Sequence, residues 1–316
     1  MNIGILLWNT CNASCAHCAV SSAPDAARLM SNDDIKNIID GAFWDGKRPS
    51  IGLSGGEAFL YLADLLEVIA HATQKGARVS VNTNCYWAQD MDQARSIVRQ
   101  VQSAGVHKLV ASTDTFHKKY IDDQCVVNAV NACIEAHLEI ELQYVATRKS
   151  ERMFDFIRRH ADDLVNITCR EIPCHPVGRA GKMKASSLIL RSKMPRGTCP
   201  NAVLSVSADG RYIPCCNTAG HLEALQLGTI AENPQDVAAR FAHSPVMRKL
   251  WKSGPVSFVG TAVAAGFVPQ ALGYVDQCHL CHDLFKDTEM AARLKEQAEQ
   301  EAFDELYAVY EARRGA

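Results

Sequence analysis

"IGILLWNTCNASCAHC", residues 3–18, runs a short apolar segment directly into three cysteines within eight residues. The apolar segment has no basic flank and is too short for a secretory signal, so it reads as a buried β-strand. Cys11, Cys15 and Cys18 then fall just past its C-terminal end, with three residues between the first pair and two between the second. In α/β barrels that end of the strands is where chemistry is carried.

Outward from this strand the chain alternates. The helical pattern SNDDIKNIIDGAFW (31–44) has Ser31 as its N-cap and acids in its first turn, and the strand SIGLS (50–54) follows. YLADLLEVIAHATQKG (61–76) has apolar residues at helical spacing and stops at a glycine. The series continues through RVSVNTN (78–84), MDQARSIVRQVQSAG (91–105), HKLVAST (107–113), VVNAVNACIEAH (126–137) and EIELQYVAT (139–147). It ends with a helix over 150–164 and a strand over 165–172. Six βα-like units in a row imply parallel strands with right-handed crossovers, two units short of a closed eight-stranded barrel. The expected fold is α/β, a partial (β/α)6 TIM-like barrel over residues 1–178 followed by a small α+β extension.

The pattern changes after residue 178. A basic loop spans 179–198, and CPNAVLSVSADGRYIPCCN (199–217) reads as a hairpin turning at Asp209-Gly210. A helical region over 233–254 and the segment CHLCHDLF (278–285) belong to an extension over 199–290, and a charged amphipathic helix fills 291–316. The charge of that helix reads as a solvated face. The basic motif GRAGKMK (178–184) fits either an anion-holding loop, for a phosphate or an acidic peptide leader, or a solvated linker.

Composition narrows the class. With 47% hydrophobic and 22% charged residues and a net charge of −2, the chain reads as a globular, cytoplasmic protein with no nucleic-acid or membrane partner. The 13 cysteines do not read as disulfides in a chain without an export signal; clustered thiols there bind metal or do chemistry. Cys85, Cys125, Cys133, Cys169 and Cys174 are scattered through apolar patterns and read as small buried hydrophobes.

Three thiolates on one loop can bind zinc or an iron–sulfur cluster. Zinc favours four-ligand sites built from CxxC knuckles, whereas a 4Fe–4S cluster with three local cysteines leaves one iron for another ligand. CNASCAHC resembles the signature of the radical S-adenosylmethionine (SAM) superfamily, with His17 where that family usually has an aromatic residue. LSGGEAFL (53–60), NTN (82–84) and STDTFH (112–117) follow the next strands, in keeping with the resemblance. It implies a 4Fe–4S cluster on Cys11, Cys15 and Cys18, and SAM contacts from Gly55, Gly56, Glu57, Asn84, Ser112 and Asp114. It also implies an electron donor of the flavodoxin or ferredoxin kind.

Cys199, Cys215, Cys216, Cys278 and Cys281 form a second constellation, "C…PCC…CxxC" followed within its span by LGTI (227–230). It resembles the shortened SPASM, or twitch, extension of radical SAM enzymes, which implies a second 4Fe–4S cluster. Cys215 and Cys216 are adjacent on an extended segment, so their side chains point to opposite faces. The whole run of motifs resembles the YydG-type epimerases of ribosomally made peptides. That resemblance implies Cys199, Cys215, Cys278 and Cys281 as cluster ligands and Cys216 as the hydrogen donor. His279, within the CxxC, and His282, just after it, could substitute as ligands but read as surface histidines. The expected activity is inversion of a peptide Cα centre. The alternatives are epimerisation or dehydrogenation of a sugar, aminoglycoside or nucleoside, a peptide-crosslinking maturase, and a zinc-stabilised interaction protein with no enzymatic role.

Overall fold

A computed structural model of the protein describes residues 1–160, 164, 167–199 and 202–314. Six strands, β1 (Ile3–Leu6), β2 (Ser50–Ser54), β3 (Arg78–Thr83), β4 (Lys108–Thr113), β5 (Glu139–Ala146) and β6 (Thr168–Pro173), pair in parallel in sequence order. Between them run α1 (Asn32–Gly41), α2 (Leu62–Gln74), α3 (Met91–Ser103), α4 (Asp123–Glu135) and α5 (Met153–Arg159). This is the expected partial barrel, and its sheet does not close, because β6 ends one edge.

Local sequence explains the helix starts. The Ser31 hydroxyl accepts the Asp34 N–H at 3.1 Å while the Asp34 carboxylate accepts the Ser31 N–H at 2.9 Å, a complete capping box. Asp90 caps α3 in the same way, accepting from the Gln93 N–H at 2.8 Å. On α2, Leu65, Val68, Ile69 and Ala72 form the buried stripe, and each large aliphatic there contributes about 1.5–3 kcal/mol by leaving water. The helix expected over 150–164 is shorter, ending at Arg159, and the strand expected from 165 begins at Thr168. Residues 161–163 and 165–166 of those two segments lie outside the described residues.

The sheet does not stop at β1. The expected hairpin is present as β7 (Ser205–Val206) and β8 (Arg211–Ile213), turning at Gly210 with φ +77°. β7 pairs in parallel with β1, Gly4 opposite Ser205, and β9 (Gly228–Thr229) adds antiparallel to β8. The nine strands run β6-β5-β4-β3-β2-β1-β7-β8-β9. The extension is therefore joined to the barrel through the strand that launches the first cysteine loop.

Five helices complete the chain: α6 (Pro234–His243), α7 (Pro245–Ser253), α8 (Val259–Ala264), α9 (Gln277–Phe285) and α10 (Thr288–Arg314). α9 carries Cys278 and Cys281, and its N-cap Asp276 accepts the N–H groups of Cys278 at 2.9 Å and His279 at 3.1 Å. α10 is not solvated along its whole length: Ala291, Leu294 and Ala298 are buried, and Lys249 and Lys252 of α7 pair with Glu301 and Glu305. No helix among the described residues is long and apolar enough to cross a membrane.

Candidate active site

The loops at the C-terminal ends of the barrel strands surround a cavity of about 540 Å³. Its wall brings together Cys11, Cys15, Cys18, Gly55, Gly56, Glu57, Asn84, Ser112 and Cys216, which lie up to two hundred residues apart in sequence. Asp114 is set behind this wall, 3% exposed. Its carboxylate accepts the backbone N–H groups of Phe116 at 2.8 Å and His117 at 3.0 Å, and pairs with His117 Nδ1 at 2.9 Å. Burial raises its pKa, but the histidines more than offset that and hold it at about 2. Asp114 thus orients the turn beside the cysteine loop.

The cysteine loop is held from two sides. Arg179 donates its backbone N–H to the Cys18 carbonyl at 3.0 Å and its Nε to the Cys15 carbonyl at 2.9 Å. Its Nη2 is buried and has no hydrogen-bond partner. On the other side the loop after β2 closes on the chain between β1 and Cys11. Gly56 donates to the Trp8 carbonyl at 2.6 Å and Glu57 to the Thr10 carbonyl at 3.0 Å. A Cβ on Gly55 would lie 2.5 Å from Trp8 O, and one on Gly56 would lie 2.0 Å from Thr10 O. Only glycine permits this approach, and Gly55 also has φ +137°.

The glutamate after these glycines turns inward. Glu57 is 1% exposed and accepts from the Asn84 N–H at 2.7 Å, the Thr83 hydroxyl at 2.8 Å and the Phe59 N–H at 3.1 Å. Burial pushes its pKa up to about 7 against the opposing effect of these donors. Its carboxylate therefore ties the end of β3 to the glycine loop. Asn84 Nδ2 extends the tie to Asn12 of the cysteine loop at 2.8 Å.

Burial raises the Cys11 thiol to about 11 and the Cys15 thiol to about 12, so the loop gathers soft, protonated donors that a metal would have to deprotonate. Cys15, His17 and His117 also bring ligand atoms within 4.8 Å of one another, but both rings face Asp114. Burial lowers His17 to about 4, which keeps it neutral. Three thiols on one loop, with an unpartnered guanidinium nitrogen and glycine backbone on the same cavity, suit an iron–sulfur cluster together with an anionic ligand.

A second, smaller and apolar cavity is lined by Cys199, Cys215, Cys278 and Cys281 among Ala219, Leu250 and Pro255. Burial pushes Cys215 up to about 12 and Cys281 well above its ordinary value, and the neighbouring thiols add to both shifts. Cys215 faces this cavity and Cys216 faces the larger one. The two thiols do point apart, as an extended backbone requires. Cys216 is exposed to the large cavity; burial among protein groups raises its pKa, while a hydrogen bond with Ser205 works the other way. Thr218 lines both cavities, and its hydroxyl donates to the Cys278 carbonyl at 3.0 Å.

Some residues differ from their sequence reading. His279 is buried, not at the surface: it accepts the Val275 N–H and meets Gln270, and burial lowers its pKa to about 4. It does not line the cysteine cavity. The 178–184 loop is not merely a solvated linker, since Arg179 clamps the cysteine loop. Cys85 and Cys133 are core residues, whereas Cys174, though buried, also lines the large cavity. The sequence reading missed His175 and Asp276, which pair at 2.9 Å in the same wall. An aspartate two residues before a CxxC helix is a legible N-cap signal, but nothing local announces its partner.

The Radical SAM superfamily profile matches residues 5–146. Over 225 residues the chain is 23% identical to YydG of Bacillus subtilis strain 168, provisionally named a peptide biosynthesis protein; the match covers 69% of each chain. Among solved structures it is similar to native anSMEcpe with bound AdoMet (15% identity, TM-score 0.55, 94% of this chain and 99% of that one). It is also similar to the same protein with AdoMet and a Cp18Cys peptide (14% identity, TM-score 0.53, 95% and 99%). The enzymatic assignment sets aside a zinc-stabilised scaffold without catalysis. Residues 5–146 thus form a radical SAM domain, and the protein is a SAM-dependent radical enzyme.

Proposed function

We propose that this enzyme inverts a Cα centre in a peptide, with Cys216 as the hydrogen-atom donor. The observation that carries the reading is the division of the adjacent cysteines, Cys216 on the large cavity and Cys215 on the four-cysteine cavity. Cys11, Cys15 and Cys18 would hold a 4Fe–4S cluster, which with SAM bound would supply a 5′-deoxyadenosyl radical. Gly55, Gly56, Asn84, Ser112 and Arg179 are assigned to SAM, the Arg179 guanidinium toward its carboxylate. Glu57, in the wall with its carboxylate turned to β3, and Asp114, behind the wall, act as positioning residues.

The chemistry follows from one face of the substrate to the other. Hydrogen-atom loss from Cα to the deoxyadenosyl radical would leave a planar carbon radical that has lost its configuration, with 5′-deoxyadenosine as the by-product. Cys216 returns a hydrogen atom from the opposite face, the C–H bond forming as the S–H bond breaks. The resulting thiyl takes up one electron and one proton to become a thiol again. A donor must carry its proton, and burial keeps the Cys216 thiol in that form. Cys199, Cys215, Cys278 and Cys281 would hold a second 4Fe–4S cluster, which would supply that electron and itself be reduced by a one-electron protein donor of the flavodoxin or ferredoxin kind. The relative YydG, named for peptide biosynthesis, supports a peptide as the substrate class.

The test is Cys216→Ala, assayed in D₂O against a panel of short synthetic peptides. The parent is expected to place one deuterium at an inverted residue, and the variant to form 5′-deoxyadenosine without inversion. Inversion at the parent level by Cys216→Ala overturns the assignment. Absence of any peptide turnover by the parent favours a sugar, aminoglycoside or nucleoside substrate.

A further inference from the structure

Asn217 follows directly after Cys216 and lines the same cavity, yet its side chain reaches the other one. Its Nδ2 lies 3.6 Å from Cys278 Sγ, within range of an N–H donor to sulfur. Its Oδ1 accepts the backbone N–H of Thr218 at 2.7 Å. That bond fixes which end of the amide is which: only oxygen can accept from an N–H, so the end facing sulfur is the NH₂. The backbone carbonyl of Asn217 lies 3.9 Å from Cys215 Sγ, so this one residue adjoins two of the four sulfurs. The Thr218 bond to the Cys278 carbonyl anchors the same tie one residue on.

We propose that Asn217 is a positioning residue for electron transfer: its side-chain amide donates to the Cys278 sulfur and raises the reduction potential of the auxiliary cluster, beside the reaction cavity that Asn217 also lines. The proposal rests on the reading that the four cysteines hold a 4Fe–4S cluster. Hydrogen bonds to cluster sulfurs are among the features that set such potentials, because an N–H aimed at sulfur stabilises the charge gained on reduction. The balance is one electron: the thiyl at Cys216 takes one electron and one proton to re-form S–H, and an external one-electron protein donor restores it. A donor and its electron tuner on neighbouring residues, Cys216 and Asn217, keep that transfer short. Asn217 itself touches no reacting atom.

The experiment is a potentiometric titration followed by electron paramagnetic resonance on the full-length reconstituted chain, parent against Asn217→Leu. Leucine keeps the size and removes the donor. The auxiliary signal is expected to become harder to reduce by about tenfold in the one-electron equilibrium, ~59 mV lower. The signal that responds to added SAM is expected to stay where it is in the parent. Where Asn217→Leu assembles with less iron than the parent, Asn217→Ser is titrated instead, with the same lowered potential expected. An unchanged auxiliary potential in a variant with parental iron content overturns the role of Asn217 and leaves the two-cluster reading intact. A parent that reconstitutes with only about four irons per chain overturns the two-cluster reading and this inference with it.

Discussion

The two cysteine sites of this molecule are built in opposite ways. Cys11, Cys15 and Cys18 lie on one loop after β1, so their proximity is set by the covalent chain. Cys199, Cys215, Cys278 and Cys281 come from three separate segments, and they meet because α9 packs against the segment after β8, where Asn217 and Thr218 bond to Cys278. The first site is clamped by backbone, through Arg179 on one side and the glycine loop on the other. The second is closed by apolar packing and by one capped helix. The local site has its three thiols gathered by one loop and only steadied by the fold, whereas the assembled site needs the fold to bring its thiols together at all.

That contrast can be broken most sharply by removing one ligand from each site. Cys15→Ala should abolish SAM cleavage and remove about four irons per chain while leaving the fold intact, as measured by 5′-deoxyadenosine formation, iron content and circular dichroism. Cys281→Ala should also remove about four irons but retain SAM cleavage, and should lower the thermal midpoint because it opens a fully packed cavity. Equal loss of SAM cleavage in both variants would erase the distinction.

Smaller effects sharpen it. Glu57 holds its proton up to about pH 7 when folded, against 4.5 for an ordinary glutamate. Its stabilising contribution is therefore complete below pH 4.5 and is lost as pH rises through 7, on the order of 3 kcal/mol in all. Denaturant unfolding between pH 5 and pH 8 should show that decline in the parent and a flatter profile in Glu57→Gln, whose baseline is lower because an NH₂ group then faces N–H donors. Gly56→Ala should cost about 2–3 kcal/mol, since its Cβ meets the Thr10 carbonyl oxygen and backbone must move. Asp276→Ala should cost about 1 kcal/mol by uncapping α9. It should lower iron retention at the second site without touching the first, read by iron release to a chelator.

Much of the barrel was legible because helix and strand periodicities differ and each unit carries its own punctuation, Ser31 at a helix start and Gly76 at an end among them. The first cysteine loop was legible for the same local reason. Arg179 was not: its loop reads as basic and glycine-containing, and only the fold brings it under the Cys15 and Cys18 carbonyls, 164 and 161 residues earlier. His279 beside the CxxC reads as a surface residue, but the inner face of α9 is a tertiary fact. Glu57 was picked out with the right glycines, yet its carboxylate serves β3 rather than the open cavity.

By itself the sequence determined the α/β alternation, the three-cysteine loop at the end of the first strand and the opposed faces of Cys215 and Cys216, since each follows from spacing along a few residues of backbone. Only the tertiary structure decided that β7 pairs with β1, that Cys216 opens on the barrel cavity while Cys215 turns to Cys199, Cys278 and Cys281, and that Asn217 spans the two. The physical reason is that those contacts join segments far apart in the chain, and burial and hydrogen bonding across the whole core select them rather than any local preference.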